Sequence, residues 1–284
     1  MKQLTFKAMM ALFLAAAVLS LSSCSKKKLE KATASAEDNN LAESLFSDIF
    51  NESSAQNKQA DDDLAQTKTG STFGSLIDTC ADVTWTPNAD STYVASVIID
   101  YGTGCVYNGR TREGKILITR DGPWFEAGTN TTITTENFYI DDYKVEGTKT
   151  ITTTQATIKL TSPFVTASFD VVVQNGIVTC PDGDILTWES SRTHTWTLEQ
   201  LLPLIIYLRV DGSANGTNRD GVDYTIDITK TLVAKFGCRY IIEGILKITS
   251  DDVNKEITID YGDGTCDGDA TITVGNKNAE NLAL

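Results

Sequence analysis

From Gly74 to the C-terminus the chain is rich in Thr, Val, Ile and Tyr and punctuated by Pro, Asn, Asp and Gly. Such short β-forming runs, separated by turn signals about every ten residues, spell antiparallel strands with no helical interludes. The turn signals are Pro87-Asn88-Ala89-Asp90, Asp121-Gly122-Pro123, Asn175-Gly176, Asp182-Gly183, Asp211-Gly212, Asp220-Gly221 and Ser250-Asp251-Asp252. The expected fold is all-β, an antiparallel β-sandwich or barrel-like domain over residues 75–284.

One helix is expected ahead of it, over residues 37–57. Leu41, Leu45, Phe46, Ile49 and Phe50 follow the i, i+4, i+5, i+8, i+9 spacing of a single helical face. Residues 24–36 read as a polar tether and 58–74 as a linker, because neither carries an apolar stripe.

The N-terminus sets an address. Lys2 and Lys7 precede an apolar run from Ala8 to Leu21. That run of about 14 residues falls short of the roughly 20 needed to span a bilayer. It has the layout of a signal peptide, residues 1–23, closed by Leu21-Ser22-Ser23-Cys24 instead of a small-residue box. This resembles a bacterial lipobox, which implies acylation of Cys24 by palmitate-type chains and membrane attachment through a lipid anchor. Ser25 after the cysteine implies forwarding to the outer membrane.

Cleavage would remove two cations and take the net charge from −14 to about −16. So acidic a chain has no electrostatic reason to bind nucleic acid. A single histidine, His194, and no C-x-x-C disfavour zinc.

The strongest internal signal is a duplication over 80–119 and 238–274. Val97-Ile98-Ile99-Asp100-Tyr101-Gly102-Thr103-Gly104-Cys105 matches Ile257-Thr258-Ile259-Asp260-Tyr261-Gly262-Asp263-Gly264-Thr265-Cys266 with one inserted Thr. Each copy has an earlier cysteine, Cys80 or Cys238. Residues equidistant from a hairpin turn face each other, and Asp252 lies midway between Cys238 and Cys266. Two bridges are therefore expected, Cys80–Cys105 and Cys238–Cys266, leaving Cys180 over.

The D-Y-G-x-G-(T)-C stretches, together with Gly109-Arg110-Thr111-Arg112-Glu113-Gly114-Lys115-Ile116, resemble a family of uncharacterised secreted lipoproteins of Bacteroidota-type bacteria. The resemblance covers most of residues 76–276 and implies no particular chemistry. Surface-displayed members of that group carry acids after the lipidated cysteine. Lys26-Lys27-Lys28 stand there in this chain, which favours the periplasmic face.

Four features bear on ligands. Asp260, Asp263, Asp267 and Asp269 form a candidate calcium loop, although they lack the EF-hand order; no other cofactor is indicated. Trp124 and Phe125, after Gly122-Pro123, are candidate ligand contacts. Asp90-Ser91-Thr92 resembles an O-glycosylation acceptor of the same bacterial group. His194 has no nucleophile-type turn beside it, and G-x-S-x-G is absent. The expected activity is thus non-catalytic: a binding or structural domain that engages an envelope protein or a glycan. The alternatives are a carrier of a lipid or other apolar ligand, suggested by Leu201-Leu202-Pro203-Leu204-Ile205-Ile206, and a glycan hydrolase using paired carboxylates.

Overall fold

The computed structural model describes residues 23–68 and 80–283, apart from 108, 239, 252 and 277–279. For residues 23–33, 67–68, 253–255 and 280–283 it gives backbone only. Residues 1–22 of the expected signal peptide, the end of the expected linker (69–74) and the first residues of the expected β-domain (75–79) lie outside the described residues, as does the Cys24 side chain.

The chain is antiparallel β preceded by one helix. After α1 (Ser23–Lys68) come β1 (Asp82–Pro87), β2 (Val94–Asp100), β3 (Cys105–Tyr107), β4 (Arg110–Arg120), β5 (Asn130–Ile140), β6 (Tyr143–Ile158) and β7 (Val165–Thr179). They are followed by β8 (Ile185–Gln200), β9 (Ile205–Thr217), β10 (Asp223–Lys235), β11 (Ile241–Ser250), β12 (Val253–Asp263), β13 (Asp269–Val274) and β14 (Glu280–Ala283). Hydrogen-bonded neighbours follow chain order, except that β2 pairs with β4 and β3 pairs with β4 off the main path. Such a meander needs only short turns, which the punctuation supplies.

Two turn signals do not turn. Asn175-Gly176 lies inside β7, and Asp211-Gly212 lies inside β9. β6 runs unbroken from Tyr143 to Ile158.

The helix also departs from expectation. It begins at Ser23 and ends at Lys68, so the tether and residues 58–68 of the expected linker are helical. The physical reason lies in what it buries. Leu45, Phe46 and Ile49 are buried as the apolar spacing requires, but so are Ser35, Asp38, Asn39, Glu52, Ser53, Gln56 and Asn57. A helix held by polar partners leaves no apolar stripe to read. On its exposed side Lys58 pairs with Asp62 at 2.6 Å and Gln59 donates to Asp63 at 2.9 Å, both at i,i+4.

The described chain divides into two compact units, Leu45–Ala156 with Phe169–Glu189, and Met1–Ser44 with Thr157–Ser168 and Ser190–Leu284. The first unit holds the first motif copy. Val97 and Ile99 of β2, Tyr101 just after it, and Arg112, Ile116, Ile118 and Arg120 of β4 are all buried in it. So are Leu45, Phe46 and Ile49 of α1 and Ile133, Phe138, Ile140, Val145 and Trp188. Phe46 stacks on Trp188 at 5.4 Å. The second unit buries Tyr224 and Ile226 of β10, Ile242 and Ile248 of β11, and Ile257, Ile259 and Tyr261 of β12, with Ala36 and Ala42 of α1.

The duplication is structural. β1, β2 and β4 correspond to β11, β12 and β13. Ile99 pairs with Ile116, and its counterpart Ile259 pairs with Ile272. Asp100 accepts a hydrogen bond from the Gly102 amide at 2.9 Å, and Asp260 from the Gly262 amide at 3.0 Å. Both expected disulfides form, Cys80–Cys105 and Cys238–Cys266, with Cα–Cα separations of 5.8 and 6.0 Å. Cys180 is buried and unbridged.

Candidate functional site

The interior carries charge. In the first unit, Arg112 donates to Asp48 at 2.6 Å, with Glu52 at 3.4 Å. Arg120 meets Asp61 in a bidentate pair at 2.7 and 2.9 Å, and Lys149 donates to the Phe46 carbonyl at 3.0 Å. In the second unit, Arg192 faces Glu43 at 3.5 Å, and Arg219 grips Asp38 through its side chain and its backbone amide. Asn218 also donates to Ser35 at 3.0 Å. Arg112, Arg120 and Arg192 sit at inward positions of their strands, Arg219 is exposed in the β9–β10 turn, and each carboxylate belongs to α1. Paired in this way, the charges offset one another, while the buried Nε atoms of Arg120 and Arg192 find no acceptor; their main effect is specificity of docking, because desolvation offsets much of the attraction.

The two motif tyrosines line these contacts. Burial pushes the Tyr101 phenol well above its ordinary range, aided by Glu52 and Asp48 and opposed by Arg112. Burial does the same to Tyr261, beside Glu43 and Arg192. Each D-Y-G motif therefore plants a neutral phenol beside an arginine–carboxylate contact to the helix.

Each unit has a cleft open to solvent. The larger, of about 500 Å³, lies in the second unit and is lined by Glu199, Tyr207, Arg209, Lys230, Thr231, Glu243 and Gly264, among others. Arg209 donates to Thr197 at 2.7 Å and to Glu199 at 2.9 Å, and its guanidinium stands 5.1 Å from the Tyr207 ring centre. Lys230 pairs with Glu243 at 3.0 Å. Bulges shape the wall: the β10–β11 register shifts three times between Ile228 and Ala234. Bulges of this kind re-aim side chains beside binding sites. Gly264, from the second motif copy, closes the rim with its amide donating to the Ile242 carbonyl at 2.7 Å.

The smaller cleft, of about 360 Å³ in the first unit, is lined by Asp61, Leu64, Ala65, Thr92, Tyr93, Pro123 and Trp124. This is where the structure places one of the two aromatics singled out above. Trp124 faces the cleft and lies 5.9 Å from the Arg120 guanidinium. Phe125 turns instead against Phe169, with ring centres 5.4 Å apart.

The four aspartates of the candidate calcium loop are not gathered into a donor set. Asp260 accepts from Gly262, Asp263 from Thr265, and Asp267 from the Asp269 amide, so three of the four cap their own turns. Among the described residues no group of three or more acidic, histidine or cysteine side chains is arranged to hold a metal. The Leu201–Ile206 run is also not interior: Leu201, Leu202 and Leu204 are exposed.

None of Glu199, Tyr207, Arg209, Lys230 or Glu243 stood out in the sequence. Their only signal was the broken alternation around Lys230-Thr231, where the strand pattern lapses. The chain matches no protein-family model, no curated protein and no solved structure in comparisons with known proteins. Among the described residues, no helix is long and apolar enough to cross a membrane.

Proposed function

We propose that this protein is a lipid-anchored, non-catalytic domain of the bacterial envelope that binds a glycan in the cleft of its second unit. The observation that carries the reading is the cleft lining. An aromatic ring, a planar guanidinium and two carboxylates converge on one opening. Each cation is already neutralised by a carboxylate. Such a surface suits a neutral, hydroxyl-rich ligand, which gains from ring stacking and from several prepositioned donors and acceptors. It does not suit a multiply charged one.

The lipobox-like segment ending at Cys24 supports attachment to the outer membrane, with the periplasmic face favoured by Lys26-Lys27-Lys28. An enclosed apolar cavity, which a carrier needs, has less support. Phe46, stacked on Trp188, and Ile49 occupy the apolar interior of the first unit. A hydrolase remains the second reading because Glu199 and Glu243 line the same cleft.

The test is binding of a panel of envelope oligosaccharides by calorimetry, with reducing-end release assayed in parallel. Binding without turnover, weakened at least tenfold by Tyr207→Ala and Arg209→Ala, supports the proposal. Turnover lost in Glu199→Gln and Glu243→Gln would establish the hydrolase instead.

A further inference from the structure

We infer that two hairpin tips of the second unit form a protein-borne contact with a lipid bilayer, separate from the acyl anchor. The tips are β6–β7 and β8–β9. Ile158 is 85% exposed and Leu160 98% exposed on the first, and Leu202 is 89% exposed on the second, flanked by exposed Leu201 and Leu204. The two hairpins are neighbours: the Lys159 amide donates to the Phe164 carbonyl at 2.8 Å, and the Phe164 amide to Leu198 of β8 at 2.7 Å. Five aliphatic side chains thus crowd one edge, where isolated exposed ones would need no explanation.

Charge and shape favour a bilayer as the occupant. No Asp or Glu occurs from Gly147 to Phe169 or from Gln200 to Val210, in a chain of net charge −14. Lys159 stands between Ile158 and Leu160, where its stem can lie along the acyl boundary and its ammonium reach the headgroups. The side chains are aliphatic and sit on convex tips, which suits a deformable apolar medium better than a rigid pocket.

The position of the tips gives the contact a purpose. Turns of a meander alternate between its two ends. The helix meets the second unit at the β9–β10 turn, through Ser35–Asn218 and Asp38–Arg219. The β6–β7 and β8–β9 tips lie at the other end. An acyl group on Cys24 and a second contact at the tips would lay the strands of this unit along the membrane surface instead of standing them upright. The acyl chains supply affinity, and the tips fix orientation.

The inference rests on the reading of Cys24 as the anchor, so palmitate incorporation is scored separately. The full acylated chain is reconstituted in vesicles of phosphatidylethanolamine and phosphatidylglycerol, with Leu160→Cys or Leu202→Cys carrying an environment-sensitive fluorophore. The buried Cys180 stays unlabelled. Val106→Cys, at an exposed position in the other unit, is the control. Labels at 160 and 202 are expected to be quenched several-fold more than the control by nitroxide-bearing lipid. Palmitate incorporation with equal quenching at all three sites would overturn the tip contact and leave the anchor standing. Bright labels at 160 and 202 that nitroxide lipid does not quench would overturn it in favour of a protein covering. Absence of palmitate overturns the anchor and this inference together.

Discussion

At the residue scale the decisive groups are the inward arginines. Arg112 is only 2% exposed and faces two helix carboxylates. Removing it leaves Asp48 to Arg110 at 3.1 Å and takes the nearby guanidinium from Glu52, and breaking a buried pair from one side costs up to about 3–5 kcal/mol. Arg112→Ala is therefore expected to lower stability by that order in urea unfolding, whereas Arg112→Met with Asp48→Leu should recover most of it. If Arg112→Ala were as stable as the parent, the pair would be ornamental. The signal for this arginine was present in the sequence. Arg112, Ile116, Ile118 and Arg120 share one parity on β4, so two charges were aligned with the core face.

The buried tyrosines give a pH prediction. Burial raises the phenols of Tyr101, Tyr224 and Tyr261, with nearby Glu52, Asp38 and Glu43 acting in the same direction. A folded pKa above the unfolded value of about 10 means the fold favours the neutral form. This stability is fully present below about pH 10 and is lost as the pH rises beyond it. Absorbance at 295 nm should therefore show three of the nine tyrosines ionising only when the protein unfolds in alkali. Nine phenols titrating together near pH 10, with the far-ultraviolet spectrum intact, would contradict the burial.

At the scale of elements, strand positions were legible and their continuity was not. Alternation marked most strands, but β7 and β9 were broken at glycines taken for turns. Gly176 shows why. It is a strand residue that leaves room for the helix: a Cβ there would stand 2.2 Å from the Trp188 carbonyl oxygen and 3.3 Å from the Phe46 ring. The sequence contains the glycine but not the groups that need the space, the Trp188 carbonyl on the next strand and the Phe46 ring 130 residues away. Gly176→Ala should cost about 1–3 kcal/mol through overpacking. Because the nearest atom is backbone, Phe46→Ala should relieve little of it. Full rescue by Phe46→Ala would place the clash on the ring alone. Helix length was illegible for a related reason. Residues 58–68 offer the interior only Ala60 and Leu64, too short a stripe to read, and Asp61 adds its pair with Arg120.

At the scale of the whole molecule, the duplication was the most legible feature because it is written as near-identical residues, and both bridges followed from it. The division into two units was not, because its boundaries fall inside α1, β6, β7 and β8, where no motif marks them. Those shared elements make a prediction. Each disulfide lies within one unit and closes a loop spanning 25 or 28 positions, worth roughly 3–4 kcal/mol in the chain-entropy model. The helix, however, gives Leu45, Phe46 and Ile49 to one core and Ala36 and Ala42 to the other. Helix formation is cooperative along its length, so loosening one core should be felt across the Ser44–Leu45 boundary. Replacing Cys80 and Cys105 by serine should lower amide-exchange protection over residues 35–44 as well as 45–64, although the removed bridge lies in the first unit alone. If protection fell in 45–64 and held in 35–44, the helix would be two independently opening halves, and the duplication would have produced two separable domains sharing a chain.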